Sequence, residues 1–176
     1  MNDIVQVIRN LPPEFKFLME YGATKMMDFS LNKIAIFYSN LNHKSKNTMN
    51  IDKDIIQRCL YNVNLSQEEL SHIYAYIINN VESNSSKDTI LTYFNILSQL
   101  TLSDVEFLER LNAETHIEIT KDTWLKNKLS VTILSKFNLI RRDGVRYKDM
   151  DGDINGRYII SDIGKDFMKY CTNNNI

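Results

Sequence analysis

The side chains that most often carry catalysis are few and widely spaced in this sequence. Its three histidines, His43, His72 and His116, form no H-x-x-x-H pair, and there is neither a G-x-S-x-G nucleophile motif nor a glycine-rich phosphate loop. The two cysteines, Cys59 and Cys171, are too far apart in sequence to predict a zinc ribbon or a disulfide framework. We therefore expect a protein that is not an enzyme, with no catalytic residues and no cofactor.

The acidic stretch 149–156 places carboxylates at alternate positions, as a calcium-binding loop does. Such a loop needs a glycine at its sixth position and a glutamate at its twelfth, and the sequence has Ile154 and Ile160 there. A solvent-exposed hairpin tip is the simpler interpretation. The sequence therefore predicts no metal site.

The clearest chemical signal is a separation of charge along the chain. Residues 52–118 hold 4 basic and 11 acidic side chains, a balance of −7, whereas residues 119–148 hold 8 basic and 2 acidic ones, a balance of +6. The formal net charge of −1 hides this division. Basic side chains can neutralise DNA phosphates. The basic and acidic segments of two copies could equally bind each other in a homodimer. The sequence therefore leaves open whether the basic segment binds DNA or a second copy of the chain.

The elements expected around the basic segment follow one another as in a winged helix. Alternating apolar residues at 116–119 come first, followed by a helix, two short strands separated by a turn-rich stretch, and a last helix. The predicted ranges are Lys128 to Asn138 for the helix, 139–142 and 157–160 for the strands, and 163–171 for the last helix. The side chains that the helix from Lys128 should bury are Leu129, Ile133, Leu134 and Phe137.

The remaining polar side chains of this segment are candidates for contacting DNA. They lie on the side of the helix opposite its apolar stripe and on the hairpin: Lys126, Lys128, Thr132, Ser135, Lys136, Arg141, Arg142, Arg146 and Lys148. Winged helices also serve as protein-binding modules, and a fold does not decide between these functions. The sequence leaves open whether this surface binds DNA or protein.

The sequence before Glu114 predicts a bundle of helices. Only five Gly and two Pro leave few turn residues for a protein of many short strands. Apolar residues recur at helical spacing, and Ser66 with Glu69 and Ser103 with Glu106 are candidate capping boxes. The predicted fold class is therefore mainly α. A helical bundle domain over 1–114 would precede a winged-helix-like domain over 115–176 that contains a small antiparallel β-hairpin.

Hydropathy and the N-terminal residues indicate where in the cell the protein is found and whether two copies associate. No apolar run approaches the ~18 residues of a membrane span, and the N-terminus does not resemble a secretory signal. We expect a cytoplasmic protein that does not enter the membrane. A segment rich in aromatic and Met residues favours a homodimer that shares this surface: Phe15, Phe17, Met19, Tyr21, Met26, Met27, Phe29, Phe37 and Tyr38.

Four segments, taken together, carry a resemblance to a known family. Residues 70–79 form a helix pattern, and residues 90–104, which end in Leu-Thr-Leu-Ser-Asp, are similar to a segment that ends in "LSxxD". Residues 134–140 and 160–171 are similar to "LxxLGLI" and "LTxxGxxFxxxC". Over about residues 65–171, the chain resembles the abortive infection alpha (Abi-alpha) family of bacterial and phage-borne proteins. It departs from the pattern at Asn138, where the family has Gly, and at 77–79, where Ile-Ile-Asn replaces leucines.

The resemblance implies a context rather than a chemistry, because it suggests no catalytic residues to carry over. Two hypotheses follow. The first is a non-enzymatic phage-defence or mobile-element protein that acts through protein–protein contacts, with a partner whose identity the sequence does not reveal. The second is a winged-helix transcriptional regulator that binds DNA.

Overall fold

Residues 31–41, 53–80, 86–144 and 156–172 are described by the structure, which is a computed structural model. Within these ranges the chain is mainly helical, with one small sheet, which confirms the predicted fold class at that level. The elements in chain order are α1 (Leu31–Ser39), α2 (Lys53–Leu65), a 3-10 helix (Glu68–Leu70), α3 (Ser71–Asn79), α4 (Lys87–Leu97), α5 (Leu102–Glu114), β1 (Ile117–Ile119), α6 (Lys121–Lys136), β2 (Ile140–Asp143), β3 (Gly156–Ile160) and α7 (Asp162–Cys171).

Several sequence predictions fall outside the described residues. They concern the part of the possible dimer segment that precedes residue 31, the acidic stretch at 149–155, and three single positions: His43, Arg146 and Lys148. Among the helices that are described, none is both long enough and apolar enough to cross a membrane.

The sheet has three antiparallel strands in the order β1-β3-β2. The predicted hairpin is confirmed, because β2 pairs with β3 in a register that places Ile140 opposite Ile160 and Asp143 opposite Arg157. On the other side of β3, Ile117 of β1 lies opposite Tyr158. The third strand corresponds to the alternating residues at 116–119. In the described ranges no strand precedes it.

The chain divides into two compact units. Unit 1 comprises residues 1–99 and 170–176, and unit 2 comprises residues 100–169. The division therefore precedes the predicted boundary at Glu114, because α5 contacts α6, β1 and β3 and belongs with the sheet. A single 16-residue helix, α6, connects β1 to β2, and it begins at Lys121, ahead of the predicted start at Lys128.

The core of unit 1 is built from the apolar stripes that the sequence indicated. In α1 and α2 the stripes bury Phe37 and Cys59, and in α3 and α4 they bury Tyr74 and Phe94, all with no exposed surface. The rings of Tyr74 and Phe94 lie 5.7 Å apart. Burial raises the pKa of the Cys59 thiol, which keeps its reactive thiolate form scarce. The helices of unit 1 are therefore held by ordinary hydrophobic packing.

A partly buried lysine on α1 forms hydrogen bonds with backbone carbonyls at the end of α2. The ammonium group of Lys33 donates hydrogen bonds to the carbonyl oxygens of Asn64, at 2.9 Å, and of Ser66. The last carbonyls of a helix have no partner within the helix and carry partial negative charge. Lys33 therefore caps α2 from a neighbouring helix.

The predicted capping box at Ser66 is wrong. The Ser66 hydroxyl donates to the carbonyl oxygen of Asn62 at 2.7 Å and also forms a hydrogen bond with the Tyr74 hydroxyl. The residue that precedes the 3-10 helix is Gln67, which makes no side-chain cap. Burial raises the pKa of Tyr74, and the bond to Ser66 opposes that shift. Ser66 therefore satisfies a buried tyrosine instead of starting a helix.

The second predicted capping box is displaced by two residues. Thr101, not Ser103, precedes α5, and its hydroxyl accepts a hydrogen bond from the Asp104 N–H at 3.3 Å. The Asp104 carboxylate accepts one from the Thr101 N–H at 2.8 Å. The sequence offers a hydroxyl followed by an acid three residues later at both positions, so this pattern alone does not choose between them.

The end of α6 is a left-handed turn at Asn138, whose φ is 56°. The Leu139 N–H donates to the Leu134 carbonyl at 2.9 Å, and the Asn138 N–H donates to the Ser135 carbonyl at 3.0 Å. This pattern is a Schellman motif, in which glycine is the commonest left-handed residue and asparagine an alternative. Asn138 can therefore terminate α6 where the family pattern has glycine.

The same turn anchors the start of α7. The Ser161 N–H donates to the Leu139 carbonyl at 3.0 Å, and the Ser161 hydroxyl donates to the Asn138 carbonyl. That hydroxyl also accepts from the Gly164 N–H at 2.9 Å. A Cβ at Gly164 would lie 2.0 Å from the Leu139 oxygen. The first turn of α7 thus lies directly against the backbone that ends α6.

Replacement of Gly164 by Ala should lower the free energy of unfolding by about 1–3 kcal/mol, because the added methyl group overlaps backbone that cannot rotate away. Chemical denaturation of the two proteins measures this difference. Lys165→Ala is the matched control, because Lys165 is exposed on the next position of the same helix and should change stability by less than ~0.5 kcal/mol. Equal stability of the two variants would contradict the close approach.

Replacement of two buried serines by alanine should have different effects on stability. Among the described residues Ser71 has a buried hydroxyl with no hydrogen-bond partner, so Ser71→Ala should leave stability unchanged or raise it by up to ~1 kcal/mol. Ser66→Ala should lower stability by about 1–3 kcal/mol, because it leaves the buried Tyr74 hydroxyl unsatisfied. Urea denaturation of both variants tests this pair, and a loss at Ser71 as large as that at Ser66 would contradict it.

Candidate functional site

The helix α6 has one buried side and one broad exposed side. Ser130, Val131 and Leu134 are buried, and α6 contacts α5, β1 and β2. At the N-terminal end, the Thr120 N–H donates to the Thr123 hydroxyl at 3.0 Å and completes a capping box. The helix is therefore held at both ends and along one side, and its other side is presented to solvent.

Five of the predicted DNA-contacting residues lie on this exposed side. They are Lys126, Lys128, Thr132, Ser135 and Lys136, and all five are exposed. The Thr132 hydroxyl donates to the carbonyl oxygen of Lys128 at 2.8 Å, and the Lys136 ammonium lies 5.0 Å from the centre of the Phe137 ring. All five are therefore exposed on α6, with Lys126 and Lys128 on opposite flanks of the helix side that carries Leu125 and Leu129.

The centre of that face is apolar, and the predicted burial of Leu129 is wrong. Leu129 is 80% exposed, and Leu125, one helical turn before it, is 85% exposed. The apolar residues of α6 are distributed around the whole helix, so their spacing did not identify the side that faces the sheet. Of the other predicted core positions, Leu134 is buried, whereas Ile133 and Phe137 are partly exposed.

The two arginines of β2 point to opposite sides of the sheet, because successive strand residues alternate. Arg141 is exposed, while Arg142 lies on the side of buried Tyr158, with its guanidinium over Gly156. Burial raises the pKa of Tyr158, and the charge of Arg142 opposes this shift. Arg142 therefore covers a buried tyrosine and does not share a surface with Arg141.

The exposed side of the sheet carries an ionic network around Arg157. Its Nε lies 3.3 Å from the Asp143 carboxylate, and its Nη2 lies 3.2 Å from Nδ1 of His116. The Arg157 guanidinium therefore holds the His116 ring in position.

His72, on α3, packs its ring edge-to-face against Tyr76, with 5.3 Å between the ring centres. These contacts are structural, and in the described ranges no group of three or more His, Cys, Asp or Glu side chains could hold a metal ion.

A second exposed apolar pair, which the sequence analysis missed, lies on α2. Tyr61 is 47% exposed and Leu65 is 58% exposed, one helical turn apart. The exposed acids Glu68 and Glu69 follow Leu65 after two intervening residues. Both apolar side chains lie outside the buried stripe of α2, which consists of Ile55, Ile56, Cys59 and Leu60, and that departure from the stripe was the available signal.

A groove of about 390 Å³ between α2 and α4 adjoins Tyr61. At its end, the Asp54 carboxylate lies 2.8 Å from Lys87 Nζ and 3.3 Å from Arg58 Nε. The hydrogen bond from Lys87 is the main cause of the lowered pKa of Asp54. Two cations therefore surround one carboxylate at this end of the groove.

Two exposed surfaces combine apolar and charged side chains. The α6 surface consists of Leu125, Lys126, Lys128 and Leu129, in unit 2. The α2 surface consists of Tyr61, Leu65, Glu68 and Glu69, in unit 1.

Comparison with known proteins adds no relative, since no protein-family model, curated protein or solved structure matches the chain.

Two leucines of α6 should differ in their effect on stability. Leu134 has no exposed surface, so Leu134→Ala should lower the free energy of unfolding by about 2–5 kcal/mol. Leu129→Ala, at an exposed position of the same helix, should change it by less than ~0.5 kcal/mol. Thermal and urea denaturation compare the two variants. A large loss at Leu129 would show that its side chain is buried in solution.

Proposed function

We propose that this chain is a non-enzymatic protein that acts through protein–protein contacts, in phage defence or on a mobile element, and that it binds its partner with the α6 surface. The observation that carries the proposal is the exposure of Leu125 and Leu129 at the centre of a helix face, between lysines. An apolar centre within a charged rim is the usual anatomy of a protein-binding site.

The energetics favour a protein as the ligand of this surface. Full burial of a leucine side chain contributes about 1.5–3 kcal/mol, and an apolar groove on another protein would supply that burial. Phosphate groups of DNA would engage Lys126 and Lys128 but would offer little apolar surface to the two leucines. A protein partner with acidic groups around an apolar site makes use of all four side chains.

The biological context rests on the resemblance to the Abi-alpha family. Two details of unit 2 are consistent with it. The family's glycine position is held here by Asn138 in a left-handed conformation, which asparagine adopts more readily than most residues. The glycine of the last motif, Gly164, leaves no room for a side chain. The resemblance supports phage defence as the context but names no target.

The functional test is protection of bacteria against phage. Expression of the chain should reduce plaque formation by at least one phage of a diverse panel. The double substitution Leu125→Gln and Leu129→Gln should abolish this reduction, because it removes the apolar centre of the surface. Glu106→Gln with Glu109→Gln, on exposed positions of α5, is the control and should keep it. Full protection by the leucine variant at equal protein level would exclude the α6 surface.

The second candidate function is DNA binding by a winged helix. The sheet order β1-β3-β2 and the exposed Lys126, Lys128 and Lys136 favour it. If it applies, duplex DNA should shift at ~50 mM salt and micromolar protein. Alanine at the three lysines should then reduce the salt dependence of binding by roughly one unit per lost phosphate contact. Absence of any shift by the unmodified protein under these conditions would exclude DNA binding.

A further inference from the structure

We propose that the partner of the α6 surface is the α2 surface of a second copy of the same chain. This inference rests on the proposed function, in that it identifies the protein that the α6 surface binds. It goes further in predicting self-association and in assigning a role to the exposed end of α2.

The two surfaces match in shape. Each presents a pair of large apolar side chains spaced by four residues on a helix, Leu125 with Leu129 and Tyr61 with Leu65. Residues at this spacing lie one above the other, about 5–6 Å apart between their Cβ atoms. Such rows form the ridges by which two helices interdigitate. One pair can therefore pack against the other, with part of the groove beside Tyr61 available to a leucine side chain.

The two surfaces are mostly opposite in charge. By helical spacing the exceptions are Arg58, three residues before Tyr61, which pairs with Asp54 at 3.3 Å, and Asp122, three residues before Leu125. Lys126 and Lys128 flank the apolar pair of α6, and Glu68 and Glu69 follow that of α2. Among the described residues, none of these four side chains takes part in an ion pair. Complementary charge favours the pairing of α6 with α2 and disfavours two copies of either surface against each other, because like charges would then meet.

A contact between two different surfaces has a distinctive consequence. Each copy carries both the α6 surface and the α2 surface. Substitutions that disrupt either surface therefore prevent self-association of that variant. Two variants damaged at different surfaces still supply one intact surface each. Their mixture can therefore form one native contact, which a contact between two identical surfaces would not permit.

The experiment is sedimentation equilibrium of the full chain up to several hundred micromolar. The unmodified protein should show an average mass that rises with concentration above the 20.6 kDa of one chain. Leu125→Gln with Leu129→Gln should remain at the mass of one chain, and so should Tyr61→Gln with Leu65→Gln. An equimolar mixture of these two variants should again exceed that mass. Far-UV circular dichroism checks that both are folded.

Charge reversal gives an independent readout that keeps the apolar residues intact. Lys126→Glu with Lys128→Glu should abolish association, and so should Glu68→Lys with Glu69→Lys, whereas all four changes in one chain should restore it. Association of the unmodified protein should weaken as salt is raised. Glu106→Gln with Glu109→Gln is again the control and should associate as the unmodified protein does.

Three outcomes would overturn the inference. They are a constant mass of one chain for the unmodified protein, unchanged association of the α6 or α2 variant, and a mixture of the two variants that stays at one-chain mass. The proposed function fails separately. If the α6 variant loses phage protection while the unmodified protein does not self-associate, the α6 surface binds a different protein and only the present inference is wrong.

Discussion

The main-chain N–H and carbonyl of Leu139 connect α6, the hairpin and α7 in the described part of unit 2. Its N–H ends α6 by donating to Leu134, and its carbonyl accepts from Ser161, the residue that directly follows β3. The side chain of Leu139 is fully buried. One residue therefore fixes where a helix stops, where β2 begins and where the chain leaves β3 for α7. The register of the hairpin and the close approach of Gly164 both follow from that geometry.

The helices of unit 1 could be predicted from sequence because each has one main apolar stripe. A stripe spaced by three and four residues has one side to bury, and Ile73, Tyr74 and Ile77 of α3 are buried on such a stripe. In α6 the apolar residues point in several directions, and the neighbouring elements decide which of them are covered. That information lies in the packing of α5 and the sheet, so the exposure of Leu129 could not be obtained from spacing alone.

The sequence predicted the basic charge of the candidate surface but not its apolar centre. The excess of basic residues in 119–148 is visible in the sequence, and five of the nine predicted residues are exposed on α6. Leu125 was missed because the helix was predicted to begin after it. The separation of Arg141 from Arg142 follows from strand alternation and was available from the sequence. The Ser66 error has another cause: the buried Tyr74 hydroxyl competes for the serine, and only the folded chain brings the two together.

The two edge strands of the small sheet are short and charged. β1 has three residues and β2 has four, and Glu118, Arg141 and Asp143 place charge along them. Exposed strand edges recruit further strands when they are long, flat and uncharged, and short charged edges resist such recruitment. The three described strands therefore form a poor template for cross-β growth.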